Sequence, residues 1–137
     1  AAAGPVPAHP AVLEALRQAA GELGVPCHVG PTCTTADFYA GQGRVVPGFP
    51  TVEPHKVARL SRAGVLNFEM EMSVYFTLAQ VSSYPLRAGG ACAVFTNRLT
   101  GDKAFGLKTR RRQAEGRLLR LGLRALELLS AWDRGES

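Results

Sequence analysis

The stretch DFYAGQGRVVPG, residues 37 to 48, sets a carboxamide and a guanidinium two residues apart, Gln42 and Arg44, just after the aromatics Phe38 and Tyr39. A carboxamide offers one acceptor and two donors side by side. It can pair at once with an N–H and a neighbouring carbonyl of a flat neutral heterocycle; uracil is such a ring. A guanidinium close by can donate to the second carbonyl, and it stabilises negative charge if the ring departs as an anion. Gly43 lets the backbone turn so that both side chains converge, and Phe38 or Tyr39 can pack on the ring. The same residues also fit an ordinary loop with solvated polar side chains.

A second stretch, NFEMEMS, carries Glu69, Met70 and Glu71 where a strand gives way to a helix. A carboxylate there can accept hydrogen bonds from two adjacent sugar hydroxyls, and a methionine supplies an adaptable apolar wall. Neighbouring carboxylates also favour the positive charge of an oxocarbenium-like state when a glycosidic bond breaks. Capping of the helix by Glu71 is the alternative use. A third stretch, AVFTNRLTGD, ends an apolar run in Asn97 and Arg98. Ligands of α/β proteins sit at the carboxyl ends of strands, so Arg98 is placed to reach such a crevice. A surface salt bridge is its other use.

These groups need elements to hold them. PAVLEALRQAAGELG reads as an amphipathic helix, with Pro10 in its first turn and Gly24 at its end. PCHVGPTCTT predicts a strand bent at Gly30 and Pro31, and EPHKVARLSRAG a second helix opened by Pro54 and closed by Gly64. VLNFEMEMSVYFTLAQVSSY begins as a strand and becomes a helix. LRAGGACAVFTNRLTGD predicts a buried strand followed by a loop over residues 98 to 102. The C-terminal helix aligns Leu118, Leu121, Ala125, Leu128 and Trp132, and Leu119, Leu123, Leu126 and Leu129 widen that stripe. Strands alternating with helices predict α/β layering.

The bulk numbers narrow the function classes. A chain of 137 residues suits one domain with a modest core. No apolar run reaches the roughly 18 residues of a membrane helix, and the opening AAAGPVPAHPAVLEAL is not expected to be a secretory leader. Cys27, Cys33 and Cys92 cannot all pair within the chain and show no C-x-x-C spacing. They are expected to be small buried hydrophobes in a reducing cytoplasm, with no metal site. Much of the net charge of +5 lies in LKTRRRQAEGRLLRLGLR, residues 107 to 124. That stretch lacks interleaved aromatics, so it reads as a solvated helix face rather than a nucleic-acid surface.

Several motifs fail on spacing. In GDKAFGLKT, Leu107 separates Gly106 from Lys108, which moves the lysine off a phosphate cradle. GQGRVVPG lacks the third glycine of a dinucleotide loop, no G-x-S-x-G elbow occurs, and His9, His28 and His55 are scattered.

In order and spacing, DFYAGQGR, GVLNFEMEMS and VFTNRLTGD resemble segments of the uridine phosphorylases, a nucleoside phosphorylase family. GQGR and NRLTGD are closer to the animal form than to the bacterial one, and the likeness runs from about Pro10 to Trp132. The resemblance implies a nucleoside phosphorylase-like α/β fold, a mixed β-sheet or barrel flanked by helices. Residues 1 to 137 would form a single partial domain, the C-terminal half of that fold. By the same resemblance, Phe38 packs on the nucleoside and Gln42 and Arg44 read the uracil edge, with Phe95 and Thr96 as wall near the base. Glu69, Met70 and Glu71 line the ribose pocket, and Arg98, on a mobile flap, is the catalytic residue and helps hold the base-reading pair. The implied reaction is reversible phosphorolysis of uridine to uracil and ribose 1-phosphate. Inorganic phosphate is its co-substrate and no cofactor is needed.

Two departures bear on this expectation. The family's phosphate-binding glycine loop and arginines belong to an N-terminal half with no counterpart in these residues, so the phosphate site is unassigned and sheet edges would stand exposed. Met72 stands where the family carries a small residue, either crowding the ribose pocket or packing into the core. The expected partners are uridine or uracil, phosphate, and a second copy in a dimer or a complementary N-terminal half. A catalytically inactive module in a larger complex is the competing reading, with the basic C-terminal helix as its contact surface. A purine phosphorylase or nucleosidase fits less well, because those enzymes carry an aspartate after the strand where Asn97 and Arg98 stand here.

Overall fold

The structure, a computed structural model, describes residues 4–50, 53–101 and 108–136. The stretch of the rejected phosphate loop from 102 to 107, with the Asp102 end of the expected 98–102 loop, lies outside the described residues. Helix α1 spans Pro10–Glu22, strand β1 Thr32–Thr34, α2 Lys56–Arg62, β2 Asn67–Glu69, α3 Met72–Val81 and α4 Lys108–Asp133. A short 3₁₀ turn covers Ala40–Gln42. The chain divides into two compact units, one of Ala1–Cys27, Met72–Ala93 and Leu107–Ser137, the other of His28–Glu71 and Val94–Gly106.

The first unit holds α1, α3 and α4, and its core is the α1–α4 pair. The His9 Nδ1 accepts a hydrogen bond from Ala11 N at 3.2 Å and so caps α1, whose proline sits in the first turn. One face of α1 carries only small residues. Ala15 and Ala19 are fully buried and Ala20 nearly so, against Leu121, Ala125, Leu128 and Leu129 of α4. Small side chains let the two helices approach closely, and Leu118 and Trp132 complete the packing as expected of that stripe. Of the leucines that widen the stripe, Leu129 is buried, whereas Leu119, Leu123 and Leu126 are more than half exposed. Two ion pairs fasten the ends, Arg124 Nε to Glu22 Oε2 at 2.6 Å and Arg87 to Asp133. Met72 opens α3, and its Cε and Sδ lie 2.6 and 3.0 Å from where a Cβ on Gly90 would stand. The side chain is half-buried and lies beside Gly90.

The second unit is built on a two-stranded parallel sheet in which Thr32, Cys33 and Thr34 pair with Asn67, Phe68 and Glu69. It has the α/β character expected from the alternation of elements. The strand expected over residues 86 to 97 does not form as a run: among these residues Thr96 alone makes a bridge. Val94 is 64% exposed and Cys92 is exposed. Gly89, Gly90 and the small residues after them have little to pack on a pleated surface, and extended backbone becomes strand only beside a partner. The cysteines also depart from expectation, since Cys27 and Cys92 are exposed and Cys33 is half-buried. Cys27 and Cys92 lie in connecting segments, whereas the core is made of alanine and leucine from two helices. Among the described residues no helix is long and apolar enough to cross a membrane.

Candidate functional site

The candidate site residues Phe38, Gln42, Arg44, Glu69, Met70, Glu71, Phe95, Thr96 and Arg98 fall in the sheet-containing unit. The chain leaves β1 at Thr34 and enters a turn organised by the Asp37 carboxylate. Its Oδ1 accepts from Tyr39 N at 2.7 Å, and Gly41 N donates to Oδ1 at 3.1 Å and Oδ2 at 3.0 Å. A Cβ on Gly41 would stand 2.7 Å from the Asp37 Oδ2, so the closeness of carboxylate and backbone requires glycine there. Gly43 closes the 3₁₀ turn with φ +69°, and a Cβ on it would meet the Glu53 carbonyl oxygen at 2.9 Å. Lys56, the first residue of α2, donates to Gly41 O at 2.7 Å. The turn is thus held by a carboxylate on one side and a helix start on the other.

That turn displays the carboxamide and the guanidinium foreseen in the sequence. Gln42 is buried, and its Nε2 donates to the Thr35 Oγ1 at 3.3 Å. Arg44 is half-buried; its Nε donates to Phe38 O at 2.8 Å and its guanidinium carbon lies 4.1 Å from the Phe38 ring centroid. Phe38 is itself partly exposed, with Tyr39 edge-on at 5.6 Å. Arg98 comes to the same place, donating from a terminal nitrogen to Gln42 O at 3.3 Å. Burial, and after it the repulsion of the nearby Arg44 guanidinium, lowers the Arg98 pKa from its ordinary value. Gln42, Arg44 and Arg98 therefore form one cluster. Two cations stand close together beside a carboxamide, and neither arginine forms an ion pair with a described carboxylate.

Thr35 ties the backbone carbonyls of Glu69 and Asp37 to that cluster. Its backbone N–H donates to Glu69 O at 2.9 Å, and its hydroxyl donates to Asp37 O at 3.0 Å. Glu69 also takes the Thr34 hydroxyl through Oε1, and its Oε2 accepts from Glu71 N at 2.8 Å. The Glu71 carboxylate is exposed and accepts from Met70 N at 3.2 Å; Met70 is 40% exposed. Phe95 and Thr96 are half-buried, and the Thr96 Oγ1 is buried with no hydrogen-bond partner in the structure.

The unit thus holds a carboxamide and two guanidinium groups near one another, with the Glu69 and Glu71 carboxylates at and just after the end of β2. Among the described residues no group of three His, Cys, Asp or Glu side chains is placed to hold a metal ion. Sequence reasoning passed over Thr35, Asp37 and Lys56. An aspartate four residues before a glycine is the signal for Asp37, but nothing local marks Thr35 or Lys56 as partners of the turn.

The model of the phosphorylase superfamily matches residues 1–127. The chain is 42% identical over 123 residues to the uridine phosphorylase of Thermococcus kodakarensis, covering 87% of this chain and 40% of that protein. It is 38% identical over 82 residues to uridine phosphorylase 1 of Mus musculus, covering 57% of this chain and 26% of that one. A solved chain from a structural and catalytic analysis of two diverse uridine phosphorylases of the oomycete Phytophthora capsici shares the fold, with a TM-score of 0.73 at 21% identity. That match covers 90% of this chain and 47% of the other. The chain thus spans less than half the length of these relatives. Its three motifs, its α/β layering and the match along most of its length place it together with them: the chain belongs to the phosphorylase superfamily.

Proposed function

We propose that this chain carries the nucleoside-binding portion of a uridine phosphorylase, which converts uridine and phosphate reversibly to uracil and ribose 1-phosphate. The observation that carries this reading is that Arg98 bonds the Gln42 backbone carbonyl, the Gln42 side chain bonds the Thr35 hydroxyl, and the Thr35 N–H bonds the Glu69 backbone carbonyl, which ties the base-reading and sugar-reading residues together in one unit. Gln42 and Arg44 read the imide edge, Phe38, Phe95 and Thr96 border the base, and Glu69, Met70 and Glu71 face the ribose. Arg98 and Arg44 offset the charge that builds on the departing base, while the carboxylates favour the cationic sugar. Phosphate attacks the anomeric carbon from the face opposite the base and comes from a site on the part of the fold beyond these residues. In this reading residues 1–137 are one partial domain of a cytoplasmic, homodimeric pyrimidine-salvage enzyme with no cofactor, and the isolated chain releases no uracil.

The test pairs two assays. Uridine is titrated against the chain and its Gln42→Ala variant, and uracil release with phosphate is followed for the chain alone and for the assembly that contains it. Uridine binding lost in the variant, with turnover confined to the assembly, supports the reading. A chain that binds no uridine, in an assembly that releases no uracil, overturns it.

The second reading is an inactive module of a larger complex. The feature favouring it is the row Leu119, Leu123 and Leu126 on α4, each more than half exposed. Leu123→Glu would then dissociate the complex without altering uridine binding.

A further inference from the structure

We propose that Thr35 is a positioning residue that fixes which way the Gln42 carboxamide faces, and that this makes the site prefer imide bases to cytosine-type bases. The inference rests on the reading of Gln42 as the base-edge contact. Thr35 and Gln42 are both 5% exposed, so water does not compete freely for their polar atoms. The Thr35 hydroxyl has one proton, and it goes to the Asp37 carbonyl oxygen at 3.0 Å. Toward Gln42, 3.3 Å away, that oxygen has only lone pairs left, so the amide must turn its NH₂ to it.

The opposite orientation would set the Gln42 carbonyl oxygen against an oxygen with no proton to give, an arrangement that costs a buried hydrogen bond. Asp37 is itself tied into the turn through Tyr39 N and Gly41 N, and the Thr35 backbone is tied to Glu69 O at 2.9 Å. The threonine hydroxyl is therefore held from both sides and cannot rotate its proton toward Gln42 without abandoning the Asp37 carbonyl.

With one N–H spent on Thr35, Gln42 keeps its carbonyl oxygen and its other N–H as an acceptor and donor pair of fixed order. An imide ring meets that pair with a ring N–H and a carbonyl oxygen. A cytosine-type ring in the same pose brings a bare ring nitrogen to the amide oxygen and an amino group or carbonyl beside it. The amide would have to flip to satisfy it, and Thr35 opposes the flip.

The experiment compares the wild-type chain with Thr35→Val and Thr35→Ser, reading uridine and cytidine affinity together with the Gln42 side-chain amide resonances. Expected is a Gln42 amide proton slowed in exchange and in contact with Thr35 in the wild type and in Thr35→Ser. In Thr35→Val that protection is lost and the uridine-to-cytidine affinity ratio falls about tenfold, the worth of one buried hydrogen bond. An unprotected Gln42 amide in the wild type overturns the proposal whether or not the valine variant folds. An unchanged ratio in a folded Thr35→Val overturns it while leaving the base-reading role of Gln42 intact. If the wild type binds neither nucleoside, the specificity assignment falls together with the proposed function.

Discussion

The Arg44 guanidinium sits over the Phe38 ring with its carbon 4.1 Å from the centroid, while its Nε donates to the carbonyl of that same phenylalanine. One aromatic thus both supports the guanidinium from below and anchors it through the backbone. Phe38 is on this account part of the arginine's mounting as well as an apolar surface for the nucleoside. Phe38→Ala keeps the backbone bond and removes the ring, so uridine affinity should fall roughly two- to fivefold from the lost cation–π contact alone. Phe38→Tyr should restore it. Calorimetric titration of the three proteins checks this.

Gly43 has φ +69° and faces the Glu53 carbonyl oxygen, so Gly43→Ala meets strain twice. The left-handed conformation alone costs an alanine about 1–2 kcal/mol. The turn that carries Gln42 and Arg44 should shift, weakening uridine binding more than it lowers the unfolding temperature. Ligand titration and thermal unfolding of the same variant separate the two effects.

Glu22 connects α1 to α4. The hydrogen bond from Arg124, and after it the one from Gln18, hold its carboxyl below the ordinary value of 4.5. A depressed folded pKa means that the contribution to stability is present above the unfolded value and is lost as pH falls through the lower, folded one. Glu22→Gln should therefore melt below the wild type at neutral pH, with the gap closing in acid and narrowing in high salt, because the pair is partly exposed. Melting curves across pH for both proteins provide the check.

The α1–α4 seam pairs small residues with large ones. Leu128 is 6% exposed and packs beside the fully buried Ala15 and Ala19. Leu128→Ala should cost about 2–5 kcal/mol, the range for leucine truncation in a packed core. Denaturant unfolding measures it, and unchanged uridine binding in the variant would show that the site does not depend on this seam.

Much of this was legible in the sequence, for reasons that differ by element. Pro10 and Gly24 bracket α1 because proline fits a first turn and glycine the positive φ beyond a helix, here +61°. The leucine periodicity gave α4, and Gly43 gave the turn. The strand expected over residues 86 to 97 was not recoverable, since an apolar run becomes strand only when a neighbour supplies a ladder. The chain spans less than half the length of its relatives, and neighbours outside it are invisible to local pattern. The leucines at 119, 123 and 126 read as core and stand exposed, because the apolar stripe of α4 is wider than its seam with α1. In the candidate site Gln42, Arg44 and Arg98 stood out by residue type, and the structure brings them together. Thr35 and Lys56 were not, because their roles depend on contacts 7 and 15 residues away.

The most direct test of a shared base and sugar site is a nuclear magnetic resonance titration of the 137-residue chain with uridine, followed residue by residue. The account predicts perturbations gathered on Thr35, Gln42, Arg44, Glu69 to Glu71 and Arg98. Spectra unmoved by uridine, or shifts confined to the α1–α4 pair, would contradict it.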